Sequence, residues 1–390
     1  MHITPSSAHA HGSKARNAIF LRALRIILVA PLLLLAEGAQ AGEAPITFAR
    51  GVSIPMWLET SDLERIKARG FDFIRVHVDP KPLLASDGSK LNEAVTRLEE
   101  NVRRATQTKL KVIIDLQPGN QADLSSARYR PAVSSVAEML ARVGTDRTAL
   151  KLMDASQDHP CQVSEDHQWE TVLTGLIQAA QDAAPDLALV VSGRCDGIAG
   201  LVKLDPAKLP NDRLIYSFDF YEPRSFTHQG LGQARDVKGV PWPADGVATD
   251  LAMIFSRLLL SRDDLTFREH AKRLAHVRRH IAIYIAEGWN EAQIKNRFAE
   301  LRSWTEKHGV PRDRLLLDGF GAVTPTDDRG GALDADRFRW LAAVRREAEA
   351  LGAAWSYWET PGADSVAAEA LGMSQRAGLP VETPPLNAQP

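Results

Sequence analysis

Short apolar runs alternate with longer amphipathic segments along most of the chain. Each run is seven or eight residues long and rich in Val, Ile, Leu and Phe, which is typical of a buried strand. Eight such strands are predicted, at residues 48–54, 71–78, 110–116, 149–155, 187–193, 213–220, 314–320 and 353–359.

The segments between the predicted strands carry apolar residues at helical spacing, most clearly at residues 60–70, 90–108, 165–184 and 334–352. Strands that alternate with helices pair in parallel, and eight such units favour a closed barrel over an open sheet. The fold class is therefore predicted to be α/β, a single (β/α)8 TIM barrel. Residues 248–308 form an elaborated helical segment between strands 6 and 7.

The first forty residues have a different pattern. Basic residues precede an apolar run at 26–36, which is too short to span a bilayer comfortably, and Ala39-Gln40-Ala41 follows. These features predict a signal peptide, residues 1–41, cleaved after Ala41. An uncleaved anchor is the alternative. After cleavage we expect the barrel at 42–377, a loose Pro-rich tail at 378–390 and no membrane-spanning segment.

Composition agrees with an exported globular protein. The 390 residues are 44% hydrophobic and 25% charged, with a net charge of −2. The absence of a basic excess argues against a nucleic-acid partner. Cys161 and Cys195 follow predicted strands 4 and 5, which are neighbours in a barrel. We expect them to form a disulfide, as is common in exported proteins, with two unpaired thiols as the alternative.

In a barrel of this kind the chemistry lies at the carboxyl ends of the strands. Side chains alternate between the two faces of a strand. Arg75 therefore lies on the same face of its strand as His77, and Asp115 on the same face of its strand as Gln117. A buried Arg75 needs a carboxylate partner, so a structural ion pair is one interpretation and a binding site is the other.

Aromatic residues near the strand ends suit sugar rings, which stack on flat apolar surfaces. Tyr221 follows the sixth strand, and Trp355 and Trp358 belong to the last. We expect Trp358 to line a groove with Tyr221 while Trp355 fills the core. Trp242, after the sixth strand, is expected to extend that groove.

Several of these segments carry a family resemblance. The segments "RGVSIPMWLE", "GFDFIRVHVDPKPLL", "YSFDFYEPRSFTHQG", "LLLDGFGA" and "WSYWE" resemble strands 1, 2, 6, 7 and 8 of the cellulase-like retaining glycoside hydrolases of family 5. The resemblance runs from about Phe48 to Thr360. It implies a TIM barrel that acts on or binds a β-linked polysaccharide or oligosaccharide, without a cofactor.

The resemblance extends to only part of the family's site. Arg75, Tyr221 and Trp358 match the family pattern, and with His77 and Gln117 they are the expected substrate-binding residues. Asp154 stands where the family has Asn, and Gln117 and Asp219 each stand where it has His.

The two catalytic glutamates of the family are missing. Ala155 stands in the position of the acid/base and Gly319 in that of the nucleophile. Retaining hydrolysis needs two carboxyl groups about 5–5.5 Å apart. The sequence therefore predicts an exported protein, periplasmic or secreted, that binds the polysaccharide without catalysis.

Other carboxylates near the strand ends leave alternatives. Asp318 lies one residue before Gly319, so it should point toward the helices unless the strand bulges. Asp154 and Asp219 should point inward. They could form a relocated acid and base pair in an active hydrolase, or bind a metal with His77. Alternatively they bind sugar hydroxyls or neutralise Arg75, which is the interpretation we favour, with no metal. The sequence does not indicate an oligomeric state.

Overall fold

A computed structural model describes the protein at residues 46–54, 57–84, 88–117, 126–153, 166–195, 197–210, 213–358 and 365–372. Pro45–Pro390 forms one compact unit. The predicted signal peptide, residues 1–41, and the predicted tail, residues 378–390, lie outside the described ranges.

Eight parallel strands close into a barrel in the order of the chain, with β8 pairing back onto β1. The predicted (β/α)8 TIM barrel is therefore confirmed. The strands are β1 Arg50–Ile54, β2 Phe73–Val78, β3 Lys111–Leu116, β4 Thr148–Lys151, β5 Ala188–Ser192, β6 Ile215–Phe220, β7 Leu315–Phe320 and β8 Ala354–Tyr357.

Helices separate the strands along the chain. They are α1 Thr60–Ala68, α2 Gly88–Gln107, α3 Ser126–Val143, α4 Asp166–Ala183, α5 Gly197–Leu201, α6 Arg224–Thr227, α7 Thr249–Ala252, α8 Ile254–Leu260, α9 Phe267–Glu287, α10 Glu291–His308, α11 Asp334–Leu351 and α12 Ser365–Ala370. Helices α7 to α10 all lie between β6 and β7, so the predicted elaboration there is confirmed. No helix in the described ranges has both the length and the apolar character needed to cross a membrane.

Local sequence determines where the long helices of this insertion begin. Thr266 accepts a hydrogen bond from the backbone N–H of Glu269, whose carboxylate accepts one from the backbone N–H of Thr266. Asn290 and Gln293 make the same reciprocal pair at the start of α10. Each capping box satisfies N–H groups that the first turn of a helix leaves unpaired.

The barrel interior is apolar at the amino-terminal end of the strands. Alternate strand residues meet there and form a cluster separate from the core between strands and helices. The ring of Phe73 fills this end and passes so close to Gly51 that a Cβ there would lie 2.2 Å from it. The buried members are Phe73, Ile113, Ala149, Ala188, Val190, Ile215, Leu316 and Ala354. One alternation further along each strand, the interior becomes polar.

Candidate functional site

An arginine from β2 and an aspartate from β3 meet in this polar layer. The Arg75 guanidinium donates from Nε to Asp115 Oδ2 at 2.9 Å, and its Nη2 lies 2.6 Å from the same oxygen. Both side chains are buried. Arg75 Nη1 also donates to Ser53 Oγ at 3.2 Å and to the backbone carbonyl of Asp318. Arg75 thus joins β1, β2, β3 and β7 across the barrel.

A second ion pair crosses the barrel from β4 to β7. Lys151 Nζ lies 2.5 Å from Asp318 Oδ2 and 4.0 Å from Asp115 Oδ2, and its side chain is 1% exposed. We call the four residues Arg75, Asp115, Lys151 and Asp318 the charged layer. Sequence reasoning missed Lys151. The sequence contained a signal for it, because a lysine inside an apolar strand, like Arg75, needs a buried carboxylate partner.

The orientation of Asp318 differs from the expected one. It was expected to face the helices, but it points into the barrel, where Arg75 Nη2 lies 3.9 Å from its Oδ2. Asp318 continues the alternation of β7 from Leu316, which lies in the interior cluster. The ladder is irregular at the next residue: Phe218 pairs with Leu317 and Asp219 with Gly319, so Asp318 is an extra residue. The bulge therefore brings position 319 close to Arg75 as well.

Charge compensation keeps both aspartates ionised. Burial alone raises the pKa of Asp115, but Lys151, Arg75 and His77 outweigh it, and the pKa lies well below its usual range. For Asp318, burial again raises the pKa, while Lys151 and Arg75 lower it and the net direction is downward. Because an ionised carboxylate carries no proton, neither group can serve as a general acid near neutral pH.

The next residues along β2 and β3 lie nearer the mouth of the barrel. His77 is half-buried, with Nδ1 3.3 Å from Asp115 Oδ2 but without the angle of a hydrogen bond. Gln117 Nε2 donates to the same oxygen at 3.2 Å. Both predicted binding residues therefore face Asp115, and His77 retains some exposure to solvent. Among the residues that the structure describes, no group of three His, Cys, Asp or Glu side chains has the arrangement of a metal site.

Three rings meet at the carboxyl ends of β6 and β8. The Tyr221 ring centroid lies 5.4 Å from those of both Trp358 and His228, and His228 lies 6.1 Å from Trp358. We call these three residues the aromatic rim. Trp358 and His228 are partly exposed, whereas Tyr221 is buried except for 8% of its surface. Sequence reasoning missed His228, because it lies in the loop after β6, where no periodicity indicates a direction.

Burial keeps His228 neutral. Desolvation, with a smaller contribution from Arg224, lowers the pKa of His228 to about 4. The hydroxyl of Thr227 donates to the carbonyl of Tyr221 at 2.6 Å. Its oxygen then accepts from Nδ1 of His228, 2.9 Å away, so we assign the proton of the neutral ring to Nδ1. Nε2 is left as an acceptor.

Position 319 lies between the aromatic rim and the charged layer. A Cβ on Gly319 would lie 2.6 Å from the hydroxyl oxygen of Tyr221 and 3.6 Å from Nη1 of Arg75. The first distance is shorter than real Cβ contacts allow, so a side chain at 319 requires Tyr221 to move. The space beside position 319 is therefore occupied by the tyrosine hydroxyl. Asp219, the ladder partner of Gly319, is half-buried beside Gly197.

Trp242 and Trp355 do not line this site. Trp242 was predicted to extend the groove, but it is 1% exposed and packs against Phe226 in the core. That prediction was wrong: sequence reasoning placed Trp242 in a loop at the mouth, but the loop folds its ring inward. Trp355 is equally buried, between Phe71 and Phe320.

The remaining predicted residues involve the segment after β4. Asp154, Ala155 and Cys161 lie outside the described residues, so the position of the acid/base and the alternative role of Asp154 stay predictions. Cys195, after β5, is disulfide-bonded. Its pairing with Cys161 stays a prediction as well.

Sequence comparison identifies cellulase relatives. Cellodextrinase A of Ruminococcus flavefaciens is 24% identical over 194 residues, which are 46% of this chain and 56% of that protein. Endoglucanase 3 of Fibrobacter succinogenes is 25% identical over 202 residues, 51% of this chain and 27% of that protein. The chain thus spans about half the length of the first relative and about a quarter of the second. No family model matches the sequence.

Solved structures share the fold over most of the chain. Endoglucanase Cel5A of Thermotoga maritima matches with a TM-score of 0.59 and 16% identity, over 83% of this chain and 96% of that one. The cellulose synthase subunit Z of Clostridioides difficile matches with a TM-score of 0.58 and 16% identity, over 83% and 99%. Together with the cellulase relatives, these likenesses show that the chain has the cellulase-like barrel fold of the family 5 glycoside hydrolases.

Proposed function

We propose that the chain is an exported protein that binds β-linked glucan chains at the carboxyl ends of its strands without hydrolysing them by the retaining mechanism. The observation that carries this proposal is at position 319, where a glycine, which has no carboxylate, lies so close to the hydroxyl of Tyr221 that any side chain there would require the tyrosine to move. The resemblance to family 5 assigns the nucleophile to this position.

Asp115 and Asp318 do not replace the missing pair. A retaining site needs a carboxylate that reaches the anomeric carbon and a carboxylic acid with a raised pKa. Asp115 and Asp318 have lowered pKa values and are shut off from solvent by their own ion pairs. They lack both the proton of an acid and the access of a nucleophile.

The aromatic rim supports carbohydrate binding. The ring of Trp358 is partly exposed next to Tyr221, and the neutral ring of His228 leaves an acceptor nitrogen for a hydroxyl group. An apolar surface with a few polar groups is what a sugar ring requires. The relatives are named as a cellodextrinase and an endoglucanase, which favours a β-glucan over other polymers.

Two observations support export. The predicted signal peptide at residues 1–41 is one, and the disulfide of Cys195 is the other, because disulfides persist mainly in oxidising compartments. The periplasm and the extracellular medium both fit.

Calorimetric titration with soluble β-1,4-glucan oligosaccharides tests the proposal. Trp358→Ala should weaken binding about tenfold, because it removes the exposed ring. Trp289→Ala is the matched control: Trp289 is also partly buried but lies between α9 and α10, and its loss should leave affinity unchanged. Equal affinity in wild-type protein and Trp358→Ala would contradict the carbohydrate site.

A second measurement tests the absence of catalysis. A mechanism-based fluoro-sugar should leave wild-type protein unlabelled, and β-glucans should release no reducing sugar. Release of reducing sugar that disappears in Asp219→Ala would instead support the alternative, an active hydrolase with a relocated pair that uses Asp154 and Asp219.

A further inference from the structure

The insertion between β6 and β7 leaves several large apolar side chains exposed over more than a third of their surface. Leu251, Ile254, Phe255 and Leu258 recur at i, i+3, i+4 and i+7 and are all exposed, Leu251 by 64%. Only Met253, in helical conformation, separates α7 from α8, so the four residues form one stripe along both helices. Phe267, at the start of α9, is 91% exposed. Such a stripe on a folded protein indicates a contact surface.

The outer face of α9 continues this surface with cations. At 3.6 residues per turn, Arg268, Lys272 and Arg279 lie on one side of the helix and are exposed. The other residues on that side are Ala271, Ala275, Ala282, Ile283 and Ala286. Helix α9 contains five Arg or Lys against two Glu, although the whole chain has a net charge of −2.

Pairing distinguishes the outward cations of α9 from the others. Arg273 pairs with Asp236 and Asp263. Arg278 pairs with Asp250 at 2.6 Å. These two arginines therefore form ion pairs within the protein. By contrast, none of the carboxylates that the structure describes lies within ion-pair distance of Arg268, Lys272 or Arg279. Their charge remains available to a partner.

We propose that α7, α8 and the outer face of α9 dock on an anionic lipid surface. Helix α9 packs beside α7 and α8, so the apolar stripe and the cationic face belong to one side-by-side helical unit. Amphipathic helices with Leu and Phe next to Arg and Lys bind anionic membranes through both kinds of side chain. The apolar side chains enter the boundary of the acyl chains, and the cations contact the anionic headgroups.

Charge complementarity favours lipid over the other occupants. A second copy docked through the same surface would bring Arg268, Lys272 and Arg279 of both chains together, and like charges oppose such a contact. A neutral glucan offers the cations no opposite charge, and Leu and Ile lack the flat face that sugar rings prefer. An anionic bilayer satisfies the apolar and the cationic residues together. This surface is separate from the strand ends that bind glucan in the proposed function.

Co-sedimentation with lipid vesicles tests the proposal. Residues 45–390, which contain the whole barrel, should bind vesicles of about one-third phosphatidylglycerol in phosphatidylcholine far better than vesicles of phosphatidylcholine alone. The triple variant Arg268→Gln, Lys272→Gln, Arg279→Gln should lose binding on the order of 100-fold. The double variant Leu258→Ser, Phe267→Ser should also lose it, since the apolar part of the contact is gone.

The matched control removes the same charge elsewhere. Lys90→Gln, Arg97→Gln, Arg147→Gln changes three exposed cations near α2 and α3 and should bind like wild type. Thermal unfolding shows whether each variant is folded. The proposal is overturned if the wild-type protein does not bind anionic vesicles. It is also overturned if the control variant loses as much binding as the triple variant. Concentration-dependent dimerisation that the double variant abolishes would assign the surface to a second copy and overturn it as well.

Discussion

The charged layer and the aromatic rim lie one strand alternation apart but have opposite properties. In the charged layer two cations and two anions, Arg75, Lys151, Asp115 and Asp318, compensate each other inside the barrel with almost no exposure. In the aromatic rim the rings are neutral, lie edge to face or tilted against each other, and retain partial exposure at Trp358 and His228. The first layer holds strands together, and the second is the one that a ligand can reach.

This difference underlies the proposed function, in which the barrel keeps the frame of a hydrolase site without its catalytic pair. A hydrolase needs its carboxylates at the surface that the sugar touches. Here Asp115 and Asp318 lie beneath that surface, each with a cation in contact, while Asp219 is half-buried at the level of Gly319. A sugar that reaches the described part of the mouth meets rings and the Tyr221 hydroxyl beside Gly319 before the charges of Asp115 and Asp318.

The largest expected effect breaks the charged layer. Lys151→Met removes the cation in contact with Asp318 and leaves a buried carboxylate with only Arg75, 3.9 Å away. Removing one partner of a buried ion pair costs about 3–5 kcal/mol, so urea unfolding should show a loss of that size. Lys151→Met combined with Asp318→Asn should cost clearly less than the sum of the two single changes, because no unpaired charge remains.

A lysine on the neighbouring strand provides the control. Lys111, which is 30% exposed and lies 3.7 Å from Asp72, forms a pair near the surface. Lys111→Met should lower the free energy of unfolding by less than about 1 kcal/mol. If Lys151→Met costs no more than Lys111→Met, the charged layer does not hold the strands together.

The second prediction tests the boundary between the two layers. Gly319→Ala forces a methyl group within 2.6 Å of the Tyr221 hydroxyl oxygen, an overpacking that should lower the free energy of unfolding by about 1–3 kcal/mol. In a Tyr221→Phe background the methyl group no longer meets that oxygen, so the same substitution should cost less. An equal cost of Gly319→Ala in both backgrounds, measured by urea unfolding, would contradict the close approach of Tyr221 to position 319.

The barrel could be predicted from the sequence because each strand is a short apolar run and each helix an amphipathic one. The directions of Arg75 and Asp115 also followed, since side-chain alternation along a regular strand brings them to one face. The same alternation along β4 turns Lys151 inward, so its position could also have been predicted. The pattern was sufficient wherever the strand was regular.

The rest of the site depends on irregular backbone. The bulge in β7 lets the adjacent positions 318 and 319 both approach Arg75, and neither the composition nor the spacing around Leu317 and Gly319 indicates it. His228 and Trp242 lie in the loops after β6, where one ring joins the aromatic rim and the other turns into the core. Loop conformation depends on tertiary packing, so periodicity carries no information about these two directions.

The smallest expected effect concerns the neutral state of His228 in the aromatic rim. Its pKa in the folded protein is about 4, below the ordinary value of 6.5 in the unfolded chain. Well above pH 6.5 the ring is neutral in both states and adds no pH dependence. As the pH falls from 6.5 toward 4, the unfolded chain takes up a proton that the folded protein does not, so stability falls over this window.

His228→Asn removes the ring and with it this contribution. When the pH is lowered from 7 to 5.5, the free energy of unfolding should fall by about 1 kcal/mol more in the wild-type protein than in the variant. This is the difference expected from one group whose pKa is 6.5 in the unfolded chain and about 4 in the folded protein. Urea unfolding at the two pH values measures the difference, and the nuclear magnetic resonance titration of the His228 ring measures its midpoint directly. A midpoint near 6.5 would mean that the ring is hydrated. The His228 ring would then be exposed to solvent and would not pack in the aromatic rim. Tyr221 and Trp358 alone would then distinguish the aromatic rim from the charged layer.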